Sequence, residues 1–167
     1  MKVRELMSSV VETCDTDTDL AAVAMMMWRR DCGIVPVLDA KRRVVGVITD
    51  RDICMAVATR HRRPEELIAR DVMIGTLHMV QPDDDVRQAL DTMREGRVRR
   101  LPVVDAERRL QGIVSIGDIV LRAVPVRPRA TAELTANDLL ETMQHICAHS
   151  TAVERAQHKE TAEPAHV

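Results

Sequence analysis

The chain has 167 residues, of which 46% are apolar, 30% are charged and 1% are aromatic. Its single aromatic ring is that of Trp28, so the chain cannot stack successive bases as many single-strand nucleic-acid-binding proteins do. The net charge of −2 does not favour nucleic acid or an acidic membrane as a partner. The N-terminus carries no export signal, and the longest apolar run, residues 21–28, is too short to span a membrane. We therefore expect a cytoplasmic protein with no membrane contact.

An internal repeat fills the first three quarters of the chain. A shift of 66 residues aligns residues 6–53 with residues 72–119 without a gap, and 13 of the 48 aligned pairs are identical. The pair Gly46 and Gly112 is one of them. Self-similarity of this kind indicates two copies of one structural unit, followed by a tail.

Each copy predicts the order β-α-β-β-α. Apolar residues at Leu20, Val23 and Met27 have the spacing of one face of a helix. The acidic residues just before this helix, and before its counterpart, stand where a helix N-terminus favours a cap and negative charge. The predicted elements are strands at 10–14 and 77–80, helices at 20–30 and 86–96, strands at 34–38, 101–104, 44–49 and 110–115, and second helices beginning at Asp50 and Ile116.

One copy alone is too small to bury a sufficient core. We therefore expect an α+β fold in which two repeats pack by pseudo-twofold symmetry around a single merged core. The first repeat is predicted at residues 1–63 and the second at residues 64–124. A C-terminal helical extension at residues 125–149 and a disordered tail at residues 150–167 complete the predicted organisation.

The helix of this extension is expected to begin near Thr131 or Thr135 and to end near His149. It carries one apolar stripe, which we expect to pack on its own module or on a dimer mate. The residues of the stripe are Leu139, Leu140, Met143, Ile146 and Cys147.

The first helix of the chain carries apolar residues on a second face as well. Such a face indicates a helix–helix contact within a homodimer, and crowding in the core is the alternative. The residues of this face are Met25, Met26 and Trp28.

The chain contains no catalytic constellation, so we expect a protein that is not an enzyme. His145, Cys147 and His149 are fewer than the four ligands of a structural zinc site, and we predict surface histidines rather than a metal site. The four cysteines are scattered along the sequence and are expected to serve as small apolar residues.

A hydroxyl group is followed three residues later by a carboxylate at the same place in both copies. Thr49 precedes Asp52, and Ser115 precedes Asp118, each pair at a strand-to-helix junction. The spacing is that of a helix cap. An aspartate can also accept hydrogen bonds from ribose hydroxyls, and the duplication makes the motif a candidate ligand site.

The segments GIVPVLD (33–39) and VVGVITDRDI (44–53), with RRLPVVD (99–105) and LQGIVSIGDI (110–119), resemble the two halves of a tandem cystathionine β-synthase (CBS) domain pair. The resemblance covers about residues 1–124. It implies a sensor that requires no cofactor, binds an adenosine-containing ligand (AMP, ADP, ATP, S-adenosylmethionine or NAD) and pairs through its helices into a flat dimer.

The resemblance also implies roles for residues at matching positions. Asp52 and Asp118 would hold ribose with Thr49 and Ser115 beside them, and Val11 and Leu77 would line adenine slots. Phosphates would lie against Arg99 and Arg100, which come just before Leu101-Pro102-Val103 in the second copy. The first copy departs from this pattern, because Gly33 and Ile34 stand at the equivalent positions. The resulting additions to the nucleotide-binding set are Arg99, Arg100, Arg51 and Ile34.

The predicted function is therefore a stand-alone regulatory module, a homodimer that reports a bound adenine nucleotide to an unidentified protein target. The alternative is a structural or interaction dimer with vestigial clefts. Nucleic-acid binding through the basic runs at residues 60–63 and 97–100 is a third, less favoured interpretation.

Overall fold

The computed structural model of the protein describes residues 1–122 and 135–147. The predicted α+β fold with two β-α-β-β-α repeats and a C-terminal helix is confirmed. In chain order the elements are β1 (Cys14–Asp15), α1 (Leu20–Arg30), β2 (Ile34–Leu38), β3 (Val44–Thr49), α2 (Asp50–Arg60), α3 (Val86–Gly96), β4 (Arg100–Val104), β5 (Leu110–Ser115), α4 (Ile116–Arg122) and α5 (Ala136–Cys147).

The strands form one small sheet in each repeat. In the first repeat β1 pairs in parallel with β2, and β2 pairs antiparallel with β3. In the second repeat β4 pairs antiparallel with β5. The leading strand of each copy is much shorter than predicted: it is two residues long in the first repeat, and a single bridge between Val80 and Val103 represents it in the second.

The acidic clusters cap the helices that follow them, as their position predicts. The side chain of Asp19 accepts a hydrogen bond from the Ala22 amide at 2.8 Å. The side chain of Asp85 accepts one from the Arg87 amide at 2.9 Å. A carboxylate at this place satisfies an amide that has no partner within the helix and complements the helix dipole. The aspartates that predict the two helix starts in the sequence are therefore the residues that cap these helices.

Each repeat is completed by a segment that lies outside it in sequence. Val3 is fully buried in the core of the second repeat, where its amide donates to the Asp84 carbonyl at 3.0 Å. Leu67 is fully buried in the core of the first repeat, and its carbonyl accepts from the Leu20 amide at 2.9 Å. The N-terminal segment and the segment between the repeats are thus exchanged.

The exchanged segments cross the last strand of each repeat at its glycine. A Cβ atom on Gly46 would lie 2.5 Å from the sulfur of Met73, and one on Gly112 would lie 2.7 Å from the carbonyl oxygen of Ser8. The repeated glycine therefore permits the close approach of the exchanged segment.

Residues 74–80 pass from one sheet to the other. Ile74 exchanges two backbone hydrogen bonds with Val47 of β3, at 2.9 and 3.2 Å, and Val80 donates to the Pro102 carbonyl of β4 at 3.1 Å. The crossing segment therefore forms a fixed wall between the repeats.

The expected single merged core is wrong in one respect, because the buried residues form two principal clusters, one for each repeat. A third, smaller cluster joins them where the two hairpins meet. It contains buried Leu38, Val44 and Val104, and the Val44 amide donates to the Arg108 carbonyl of the other hairpin at 2.9 Å.

The C-terminal helix α5 packs on α3 of its own module, one of the two predicted places. Arg87 on α3 donates to Asp138 on α5 at 2.9 Å, and Arg94 lies 3.8 Å from the carboxylate of Glu141. The side chain of Thr142 is fully buried. Of the predicted stripe, two residues pack against the core of the second repeat, Leu139 and Ile146, whereas Leu140 is 58% exposed.

The predicted second face of α1 is correct for two of its three residues. Trp28 is 84% exposed and Met25 is 48% exposed. Met26 packs against the core of the first repeat instead, because it lies about 100° away from Met25 around the helix axis.

Arginines of the basic run at residues 60–63 form hydrogen bonds and ion pairs with the segment between the repeats. Arg60 donates to the Asp71 carbonyl at 2.7 Å, and the Arg63 guanidinium lies 3.2 Å from the carboxylate of Glu66. These contacts do not favour the nucleic-acid interpretation of this run. Within residues 1–122 and 135–147, no helix is long and apolar enough to cross a membrane.

We expect Val3→Ala to lower the free energy of unfolding by about 2 kcal/mol, because it removes buried apolar atoms and leaves a cavity in the second core. Urea denaturation followed by circular dichroism measures the change. Val10→Ala is the matched control, since Val10 is 82% exposed, and it should leave the midpoint unchanged. Equal midpoints for both variants would contradict the exchange of the N-terminal segment.

Candidate functional site

A cavity of about 270 Å³ lies between the two repeats. One side is formed by the β3–α2 junction of the first repeat, the other by the start of β4, and the crossing segment closes it. Its walls combine aliphatic side chains with four arginines and one aspartate. The aliphatic residues are Ile34, Val47, Ile74, Leu77, Val98 and Pro102, and the charged residues are Arg51, Arg97, Arg99, Arg100 and Asp50.

The cavity brings together six of the residues that the sequence selects. They come from the first repeat, the crossing segment and the second repeat. The six are Ile34, Thr49, Arg51, Leu77, Arg99 and Arg100. The sequence left open which copy's hydroxyl motif faces the arginine pair, and the structure assigns the junction of the first repeat to that place.

Four polar residues of the cavity were not selected from the sequence. Asp50, Arg97, His78 and Thr76 all line it. Arg97 had a signal, since it belongs to the basic run before β4. His78 and Thr76 had none, because their role depends on the path of the crossing segment rather than on residue pattern.

A second, more open cavity of about 760 Å³ adjoins the first. The two cavities share Gly33, Asp50, Arg99 and Arg100, so the arginine pair stands at their junction. Trp28 lines the larger cavity and does not line the smaller one. The smaller cavity is therefore walled without Phe, Tyr or Trp, and His78 contributes an imidazole.

Both hydroxyl-x-x-Asp motifs form helix caps. The Thr49 amide and hydroxyl donate to Oδ2 of Asp52 at 2.8 and 2.7 Å, and the Asp52 amide donates to the Thr49 hydroxyl at 3.3 Å. Ser115 and Asp118 repeat this arrangement at 2.8, 2.6 and 3.2 Å. The reciprocal bonds satisfy donors that the first helical turn leaves unpaired.

A third motif of this kind occurs at α5, which no cavity adjoins among those described here. The Thr135 amide and hydroxyl donate to Oδ2 of Asp138 at 2.8 and 2.7 Å. These hydrogen bonds, with Arg87 nearby, hold the pKa of Asp138 below its usual value. The motif by itself is therefore sufficient for a cap, and a ligand role depends on what surrounds it.

Four selected residues do not line either cavity: Val11, Asp52, Ser115 and Asp118. Asp52 is hydrogen-bonded to Thr49, which does line the smaller cavity. Val11 is the counterpart of Leu77 under the 66-residue shift, and Ser115 and Asp118 are the counterparts of Thr49 and Asp52. Their assignment to a ligand stays a prediction.

The described cysteines and histidines provide no metal centre. Within the described part of the chain, no group of three or more His, Cys, Asp or Glu side chains is arranged to hold an ion. Burial, with Asp15 nearby, raises the pKa of the Cys14 thiol to about 11, so this thiol stays protonated at neutral pH. His149 and the side chain of Cys147 lie outside the described residues.

Residues 3–59 and 69–125 each match the family model of the CBS domain. The two matches together cover more than half of the sequence, and the chain belongs to the CBS domain family. CBS domain pairs are generally regulatory, signal-transduction modules.

Relatives of known sequence agree with this membership. The chain is 31% identical over 116 residues to hypoxic response protein 1 of Mycobacterium tuberculosis, a match covering 70% of this chain and 80% of that protein. It is 36% identical over 98 residues to an uncharacterized protein of Methanopyrus kandleri, covering 59% of this chain and 50% of that protein. It is 31% identical over 121 residues to inosine-5'-monophosphate dehydrogenase of Methanocaldococcus jannaschii, covering 72% of this chain and 23% of that enzyme. The chain thus covers half or less of the length of the last two proteins.

Two solved structures share the fold. Hypoxic Response Protein I with two coordinated zinc ions has a TM-score of 0.67 and 30% identity, covering 75% of this chain and 100% of that one. The other is the CBS domain pair of protein MJ0100 in complex with 5'-methylthioadenosine and S-adenosyl-L-methionine. It has a TM-score of 0.64 and 26% identity, and the match covers 72% of this chain and 94% of that one.

We expect Asp118→Ala to lower the free energy of unfolding by about 1 kcal/mol without any ligand, because Ser115 loses the acceptor for its amide and hydroxyl. Thermal denaturation of the ligand-free protein measures this loss. Glu107→Ala, in an exposed turn, is the control and should leave the melting temperature within error. An unchanged melting temperature for Asp118→Ala would contradict its role as a cap.

Proposed function

We propose that the protein is a regulatory module that binds an adenine nucleotide in the cavity between its two repeats and requires no cofactor. The observation that carries this proposal is the convergence, in one cavity, of six residues that the family resemblance selects from different parts of the chain. The solved CBS pair that holds 5'-methylthioadenosine and S-adenosylmethionine supports the choice of an adenosine-containing ligand.

The aliphatic wall suits an adenine ring. Ile34, Leu77 and Pro102 flank the cavity, and a planar base can lie between such side chains because its faces are weakly hydrated. Ile74 is 45% exposed, so a bound base would remove apolar surface from water.

The ribose and phosphates have separate partners in this proposal. Oδ2 of Asp52 is used by the cap, which leaves Oδ1 for a ribose hydroxyl. Arg99 and Arg100 at the junction of the two cavities would bind phosphate oxygens, and Arg51 approaches from the first repeat. Charge-assisted bonds from guanidinium groups to phosphate are strong and can be bidentate.

A ligand in this place would act on both repeats at once. Its base contacts the crossing segment, its phosphates contact β4, and its ribose contacts the β3–α2 junction. A ligand shifts a conformational equilibrium only through its preference for one arrangement. Binding across the boundary supplies that preference, because a change in the angle between repeats changes every contact.

Calorimetric titration tests the binding proposal. We expect ADP to bind the wild-type chain, and Arg99→Ala to weaken it about tenfold to a hundredfold through loss of a charge-assisted bond. Arg29→Ala removes an exposed arginine of α1 outside both cavities, and it should bind ADP like the wild type. No heat with AMP, ADP, ATP, NAD or S-adenosylmethionine at millimolar concentration would overturn the proposal and favour the interaction dimer with vestigial clefts.

We propose further that the exposed face of α1 pairs with a second copy of the chain. Trp28 and Met25 project from α1, and Met55 on α2 is 51% exposed. The positions of α3 that correspond to Ala21 and Trp28 are Arg87 and Arg94. Both of those contact α5, so the same helix face is covered by a helix in one repeat and left uncovered in the other.

Sedimentation velocity tests this contact. We expect a dimer for the wild type and a shift toward monomer for Trp28→Ser, because a large apolar side chain at the centre of a contact contributes most of its energy. Val10→Ser, an equally exposed apolar position outside α1, is the matched control and should remain dimeric. A wild-type monomer at micromolar concentration would rule out the homodimer.

A further inference from the structure

One corner of the proposed nucleotide cavity differs in charge from the same corner of the other repeat. The three positions concerned are equivalent in the two copies, because each pair is related by the 66-residue shift. On the cavity side they are His78, Gly96 and Arg97, and the counterparts are Glu12, Arg30 and Asp31.

Gly96 is the residue that admits His78 to the cavity. A Cβ atom at position 96 would lie 2.6 Å from two carbons of the His78 ring and 2.8 Å from its Nε2 atom. Atoms do not approach so closely, so any other residue would displace the ring. Glycine is a poor residue for the last turn of α3, and the close approach of the imidazole explains its presence there.

The counterpart positions in the first repeat neutralise each other. The Nε atom of Arg30 donates to Oε1 of Glu12 at 2.7 Å. A carboxylate therefore stands where the second repeat has an imidazole, and the arginine that replaces glycine is engaged with it. The Glu12 carboxylate accepts hydrogen bonds and Arg30 is paired with it, whereas a His78 imidazole can donate one.

The residues that follow α1 and α3 also differ in charge between the two repeats. Arg97 and Asp31 both adopt the left-handed conformation, with φ of 50° and 48°. This conformation costs energy for residues other than glycine. In the second repeat the glycine stands at position 96, and the left-handed position that follows it is occupied by Arg97. The same backbone shape thus occurs at an arginine that lines the cavity in one copy and at an aspartate in the equivalent position of the other.

Resting on the proposed function, we propose that His78, admitted by Gly96, and the neighbouring Arg97 make this cavity selective for nucleoside phosphates over uncharged or cationic nucleosides. The imidazole N–H and the guanidinium supply donors to phosphate oxygens beside Arg99 and Arg100. At the counterpart corner Glu12 is paired with Arg30, and Asp31 adds a further carboxylate, so this corner carries net negative charge and disfavours phosphate. The module therefore takes one phosphorylated ligand per chain and is asymmetric in its response.

The test compares ADP with uncharged 5'-methylthioadenosine by calorimetry on the full chain. We expect ADP to bind the wild type at least about tenfold more tightly, with one ADP per chain. Gly96→Ala should weaken ADP by about tenfold and leave 5'-methylthioadenosine unchanged, because the displaced imidazole serves only the phosphates. Alanine favours a helix more than glycine does, so a loss of binding would not arise from a weakened α3.

His78→Ala, which creates no steric conflict, is the second variant and should reproduce the result for Gly96→Ala. Arg30→Ala, at the counterpart of Gly96, is the matched control and should leave ADP affinity unchanged. Equal affinity of the wild type for both ligands, or an equal loss of both in Gly96→Ala, would overturn the selectivity while leaving the proposed function intact. A wild type that binds neither ligand would overturn the selectivity, and no heat with AMP, ATP, NAD or S-adenosylmethionine as well would overturn the proposed function itself.

Discussion

The structure depends on the reciprocal exchange of segments between its two repeats. Val3 fills the core of the second repeat and Leu67 fills that of the first, so neither core is complete without a segment from the other side. The energy of apolar burial is thereby shared across the boundary, and the repeats cannot separate without opening both cores. The crossing segment at residues 74–80 is held at both ends by this arrangement, and it forms the wall of the cavity. The geometry of the cavity is thus fixed by the same contacts that hold the repeats together.

Local pattern predicts the helices and the hairpin strands, but it overestimates the leading strands and does not show which repeat each connecting segment joins. The bounds of α1, α3, β2 and β3 agree with the sequence because periodicity and capping aspartates act within a few residues. The burial of Val3 could not be read in this way, since an apolar residue near a terminus has no periodic context. The same limit applies to the site. Arginines before β4 carry a sequence signal, whereas the place of His78 depends on a glycine eighteen positions later in the chain.

The excess of positive charge in the cavity would couple the binding of an anion to the arrangement of the two repeats. Four arginines from both repeats stand beside a single aspartate, and like charges within a partly enclosed cavity repel. An anion between them would replace this repulsion with attraction and draw the two repeats together. The coupling would require no flexible lid, because the exchanged segments already connect the cavity walls to both cores.

The position of α5 limits how copies of the module can assemble. Without it, each chain would present two related helix faces, one on α1 and one on α3. A contact between unlike faces joins head to tail, and unless its rotation closes a ring it adds copies indefinitely into a filament. Among the described residues, α5 covers the α3 face and the α1 face is exposed, and a face that pairs with itself is satisfied at two copies. In the proposed dimer the C-terminal helix would thus end assembly, in the way that a capping repeat ends a solenoid.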